Sequence, residues 1–205
     1  MSKYKGEDET SIVDSLLDLP GSIRESKLRH IAYHGKYAQH VFIKDFPYHS
    51  QQAFDKLLTK DFIHTFLVRN PYETIMSWQN INPEFEESEL GYVELLYSIR
   101  KAKKSSATGV FAINSDKLVN DAQDVIRRYC EYVGLPYLAS MCEWRQREPI
   151  PAWNTWEKYH KDAQQSSGFS KNARAGARLT ERNKQLYENA RPVYELILAE
   201  LGLTI

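Results

Sequence analysis

Three compact apolar runs, Val41-Phe42-Ile43, Thr65-Phe66-Leu67-Val68 and Val110-Phe111-Ala112-Ile113, constrain this chain more than any other feature. Each is rich in β-branched or aromatic residues and bounded by polar or helical stretches, the pattern of a buried strand. Helical spacing lies between them, with Phe54, Leu57 and Leu58 after the first run and Val93, Leu96, Tyr97 and Ile99 before the third. Strand alternating with helix predicts an α/β fold, a short and mainly parallel sheet flanked by helices, with strands ending at or near Lys44, Arg69 and Asn114. Beyond the third run, Val125, Ile126, Tyr129, Cys130 and Val133 recur at helical spacing, with Gly134 as the stop and Pro136 just after it. A last helix is expected within residues 179–205, where Pro192 should kink or divide it. Two short helices separated by Leu19-Pro20-Gly21 are expected before the first strand, after ten polar residues expected to be disordered. No repeat or linker interrupts the 205 residues, which read as one domain.

Charge narrows the choice of partner. With 27 basic and 27 acidic side chains the net charge is zero, so the chain has no overall field for nucleic acid or an anionic membrane, and any bound anion needs a local cluster. No window approaches the roughly 18 apolar residues of a membrane span, and the N-terminus lacks the apolar core of a signal peptide, so a cytoplasmic chain is expected. Cys130 and Cys142 lack metal-ligand spacing to a histidine pair and suit structural thiols in a reducing compartment.

The segment from His64 to Trp78 carries the most chemistry. Asn70 is a good N-cap, Pro71 suits the first helical position, and Glu73 is placed to reach back in a capping box, so a helix starts where the strand stops. Arg69 then sits at the carboxyl end of a parallel strand, the edge where open α/β sheets bind ligands, beside the NH groups of a helix N-terminus. Ser77, about two turns further on, can add a hydrogen bond to a phosphate held by the Arg69 fork. The plainer reading is an Arg69 that caps or salt-bridges and a Ser77 that faces a neighbour.

A strand ending in Arg, then Asn-Pro and a Ser eight positions after the Arg, resembles the 3′-phosphate-binding segment of the sulfotransferases. Three further landmarks follow the same family order. Upstream, Val41 to His49, with Lys44-Asp45-Phe46-Pro47, is similar to the strand and loop that bring a lysine and the base to the sulfuryl group. Downstream, Ser115-Asp116-Lys117-Leu118 and the helix into Gly134-Leu135-Pro136 resemble the family's acidic-Leu turn and Gly-Leu-Pro end. Trp153, Trp156, His160 and Ser166-Ser167-Gly168-Phe169 resemble the tail of a divergent branch labelled branched-chain-aminotransferase-like. The resemblance implies transfer of a sulfuryl group from 3′-phosphoadenosine 5′-phosphosulfate (PAPS) to a hydroxyl or amine of a small-molecule acceptor, without a metal. It assigns Arg69 and Ser77 to the 3′-phosphate and Lys44 to the transfer centre. In many members the base stands two residues after that lysine, where this chain has Phe46. Asp45 and His49 are the substitutes on the same loop, and His49, with an unperturbed pKa of about 6.5, needs less adjustment. Lys44 and His49 also read as solvated surface side chains.

The basic loop Lys171 to Arg178 sits where many members place a second Arg/Lys-Gly segment on the 3′-phosphate, which makes Arg174 and Gly176 further candidates; a solvated connection is the alternative. Trp153, Trp156 and His160 share a helical face and suit either a core or an aromatic lid. The family's Gly-rich 5′-phosphosulfate loop is not recognisable before Lys44, where Gly21-Ser22 is the nearest candidate. A weak or inactive catalyst is therefore expected. Two other functions stay open: a binding protein of the same fold without catalysis, and a small-molecule or nucleotide kinase relative, which lacks a recognisable phosphate loop and magnesium site. Neither the acceptor nor the oligomeric state is written in the sequence.

Overall fold

The computed structural model describes residues 42, 44–50, 62–145, 162–170 and 178–203. Within them the order is α1 (Pro47–Ser50), β1 (Thr65–Val68), α2 (Pro71–Ile81), a 3-10 turn (Glu87–Leu90), α3 (Tyr92–Ser105), β2 (Phe111–Asn114), α4 (Ser115–Asn120), α5 (Ala122–Val133), a second 3-10 turn (Ala139–Met141) and α6 (Glu181–Leu201). The two strands are parallel neighbours, with Thr65 opposite Phe111 and Val68 opposite Asn114, so both reach the same carboxyl edge. The fold is α/β, a short parallel sheet flanked by helices.

Helices α3 and α6 cover one face of this pair, and α5 covers the Phe111 side of the other, where Leu67 of β1 stays exposed. Alternation sends Phe66 and Val68 to one side, where Val68 is buried with Leu95, Leu96 and Ile99 of α3 and Ala190, Tyr194, Ile197 and Leu198 of α6. On the other side Phe111 stacks on Tyr132 and meets Tyr129 edge-on, both from α5. A second cluster joins Ile75 and Met76 of α2 to Leu179 and Leu186 through Phe85. Buried polar contacts fix the register between α2 and α6. Asn183, 2% exposed, donates from Nδ2 to Gln79 Oε1 at 2.8 Å, and the Thr180 NH donates to the same oxygen at 3.2 Å. Asn183→Ala leaves that oxygen short of its better donor, and urea unfolding is expected to show a loss of about 1–3 kcal/mol.

The elements start and stop for local reasons. Asn70 Oδ1 accepts from the Tyr72 NH at 2.9 Å and Pro71 occupies the first turn of α2. Asn114 caps α4 the same way, accepting from the Asp116 NH at 2.8 Å. Gly134 ends α5 at φ 73°, a left-handed conformation in which a Cβ is strained.

Three expectations are corrected. Phe42, the described residue of the first apolar run, belongs to no strand and is 74% exposed. The run is only three residues long and leads within four residues to Pro47 at the start of α1, which leaves little length for a ladder. Of the kink or division expected at Pro192, division does not occur: α6 runs unbroken for 21 residues. Pro192 and Glu188, whose carbonyl loses its helical partner, both face solvent, where water replaces the bond. Third, Glu73 does not serve as the reciprocal half of a capping box; its carboxylate pairs with Arg69, because a guanidinium one turn away offers a charged partner in place of a backbone NH.

The expected helices around residues 12–31 and 54–58, and the segment carrying Trp153, Trp156 and His160, lie outside the described residues. No helix among the described residues is long and apolar enough to cross a membrane.

Candidate anion site at the carboxyl edge

Arg69 is the first residue beyond β1, one position past the Val68–Asn114 pair and one before the α2 cap. Its side chain is 45% exposed, and Glu73 Oε2 lies 3.6 Å from Nε, one edge of the guanidinium. The two terminal nitrogens have no hydrogen-bond partner among the described residues, so a two-pronged donor remains open toward solvent. The structure thus contains the salt bridge of the plainer reading and the open fork of the functional one. Glu73 and Ser77 are four residues apart on α2 and lie on the same face, which puts the half-buried Ser77 in line with Arg69 and Glu73. At the neighbouring strand end, Ser115 Oγ is buried without a hydrogen-bond partner among the described residues.

Lys44 belongs to an aromatic arm. Its Nζ stands 3.8 Å above the Phe46 ring, and Phe46 stacks on Tyr48 at 5.6 Å. Phe46, the residue in the place of the family's base, is therefore a support for the lysine. Asp45 Oδ1 accepts from the Phe46 NH at 2.8 Å, which fixes the turn into α1. His49 lies in α1, and its side chain is outside the described residues. Arg174 and Gly176 are also outside them, but the loop's exit is tied down: Gln79 Nε2 donates to the Arg178 carbonyl at 3.1 Å, two residues along α2 from Ser77.

Gly91 and Tyr92 join the Lys44 arm to the Arg69 turn, and no sequence motif marks them. Gly91 has φ 67°, and a Cβ there would lie 3.2 Å from Tyr48 Cδ1, so the arm packs directly on the start of α3. Tyr92 is 7% exposed; its hydroxyl donates to the Arg69 carbonyl at 2.8 Å and lies 3.1 Å from Thr74 Oγ1. Burial, opposed by the weaker Thr74 hydrogen bond, pushes the phenol well above its ordinary pKa. Burial raises Tyr129 and Tyr194 in the same direction. The folded chain therefore holds phenol protons that the unfolded chain releases near pH 10, so stability is intact below that pH and falls as pH rises through it. Urea midpoints should drop between about pH 9 and pH 11, with a shallower slope in Tyr92→Phe.

A family model described as a sulfotransferase domain matches residues 24–200. The chain belongs to the sulfotransferase domain family. It is 29% identical over 135 residues to branched-chain-amino-acid aminotransferase-like protein 1 of Arabidopsis thaliana, covering 65% of this chain and 24% of that protein. Branched-chain-amino-acid aminotransferase-like protein 2 of the same plant is 28% identical over 136 residues, with the same coverage of each chain. The match thus spans about a quarter of the length of these curated relatives. No solved structure matches the chain. Of the residues the resemblance singled out, Arg69 stands at this edge, Ser77 lies on the helix that starts beside it, and Lys44 lies on the arm whose Tyr48 meets Gly91. The connection from α2 to α3 is anchored to the core. Phe85 is fully buried and stacks on Trp78, and Arg182 of α6 donates from Nη2 to the Phe85 carbonyl at 2.6 Å.

Proposed function

We propose that this chain binds PAPS as sulfuryl donor and transfers the group to a hydroxyl or amine of a small-molecule acceptor. The observation that carries this reading is Arg69: a half-exposed guanidinium with its terminal nitrogens open, at the carboxyl edge of a parallel sheet and beside the N-terminus of α2. Those donors fit a phosphate held in two-pronged fashion. When bound, PAPS supplies the activated sulfuryl group. Arg69 holds the 3′-phosphate and Ser77 adds a hydroxyl donor, with Arg174 and Gly176 assigned to the same phosphate by the resemblance. Lys44 offsets negative charge at the transfer centre, and Asp45 or His49 takes the acceptor's proton. A metal is not part of this reading.

No Gly-rich cradle is recognisable in the sequence before Lys44, and loss of a single preorganised donor from such a site typically costs about 100- to 1,000-fold in rate. Slow sulfate transfer is expected when the chain is assayed with PAPS and a panel of phenols, alcohols and amines. Robust turnover would contradict the expected low rate and assign the missing donors to another segment, with Gly21-Ser22 the first to substitute. Binding of 3′-phosphoadenosine 5′-phosphate with no transfer to any acceptor would favour a binding protein of the same fold.

A further inference from the structure

We propose that Tyr92 is a positioning residue for the Arg69 anion site, a role that rests on the nucleotide-binding reading above. The Arg69 carbonyl lies past the last ladder pair of the sheet, and the first backbone bond of α2 goes to the next carbonyl, from the Thr74 NH to Asn70 at 3.0 Å. The sheet holds the peptide before the Arg69 Cα, but neither regular element bonds the carbonyl after it. The Tyr92 hydroxyl does so, donating to that carbonyl at 2.8 Å. Thr74 Oγ1 lies 3.1 Å from the same hydroxyl and gives its own proton to the Asn70 carbonyl at 3.1 Å, so the one phenol proton stays on the Arg69 carbonyl.

The ring is itself immobilised. It is buried in the main core, edge-on to Tyr194 of α6 with centroids 6.3 Å apart. Its neighbour Gly91 abuts Tyr48 of the Lys44 arm. One rigid pair of residues thus fixes the Arg69 peptide and supports the arm that carries Lys44. A long side chain on a peptide plane free to rotate would spread its fork over many directions, and a hydrogen bond at the root of the side chain narrows them.

The test compares 3′-phosphoadenosine 5′-phosphate with adenosine 5′-phosphate, which lacks the group Arg69 reads. By calorimetry, Tyr92→Phe is expected to weaken the first by about tenfold and leave the second unchanged, so the preference for the 3′-phosphate falls by the same factor. In an Arg69→Ala background, Tyr92→Phe should have no further effect on either ligand. A preference unchanged by Tyr92→Phe, or an equal fall for both ligands, would overturn the positioning role and leave the functional reading standing. If the unmodified chain itself shows no preference for the 3′-phosphate, both readings fall. Should Tyr92→Phe not fold, Thr74→Val leaves the Tyr92 proton wholly to the Arg69 carbonyl and is expected to keep the preference, and a tenfold fall in that variant overturns the role.

Discussion

Arg69→Ala is expected to weaken binding of 3′-phosphoadenosine 5′-phosphate by roughly 100-fold, because two charge-assisted hydrogen bonds to one phosphate together contribute about 3 kcal/mol. The fold should barely register the change. The Arg69–Glu73 pair is 3.6 Å long with both partners more than 40% exposed, and such pairs contribute at most about 1 kcal/mol. Melting should therefore shift by no more than roughly 3 °C. A large loss of affinity with a small loss of stability separates a ligand-reading arginine from one that only salt-bridges. If affinity is unchanged in a folded Arg69→Ala, the salt bridge is all that Arg69 does.

Phe85→Ala should show the opposite profile, with a loss of about 3–5 kcal/mol and a fall in melting temperature of roughly 10 °C. Phe85 is fully buried between α2 and α6, stacked on Trp78 with centroids 5.8 Å apart and lying 5.4 Å from the Arg182 guanidinium. The same connection holds a capping box, in which the Glu86 NH donates to Glu89 Oε2 at 2.7 Å, and a bond from Asn189 Nδ2 to Glu87 Oε1 at 3.0 Å. A loop pinned this often contributes to the core. Leu196→Ala on the exposed face of α6, where the side chain is 50% exposed, is the control and should change stability by less than about 0.5 kcal/mol. Near-neutral unfolding of Phe85→Ala would mean that the connection lifts away from α6 in solution.

What the sequence made legible was whatever is decided within a few residues. β1 spans Thr65–Val68 as its apolar run predicts, Asn70 and Pro71 start α2, and Gly134 ends α5 in a left-handed turn. These are outcomes of side-chain size, cap chemistry and φ preference, all local. The first apolar run has the same composition as the others, yet Phe42 lies in no strand, because a strand also needs a neighbour to pair with and length to pair along. Glu73 shows a local rule losing to a competing local partner, since the cap and Arg69 both lie within reach of one carboxylate.

The supports of the site were not legible, for a different reason. Tyr92 bonds a carbonyl 23 positions away, and Asn183 reaches Gln79 across 104 positions. No periodicity or motif encodes such a pair. Tyr92 reads in sequence as one more aromatic on a helix, and Thr180-Glu181-Arg182-Asn183 as an ordinary helix start. Only the fold reveals that Tyr92 ties α3 to the turn that carries Arg69 and that Asn183 ties α6 to the helix that follows it.

The most direct measurement is a calorimetric titration of the unmodified 205-residue chain with 3′-phosphoadenosine 5′-phosphate, run beside ATP with magnesium and adenosine 5′-phosphate. The account predicts that the 3′-phosphorylated nucleotide binds tightest of the three. Tighter binding of ATP with magnesium, or no binding of 3′-phosphoadenosine 5′-phosphate at all, would contradict it.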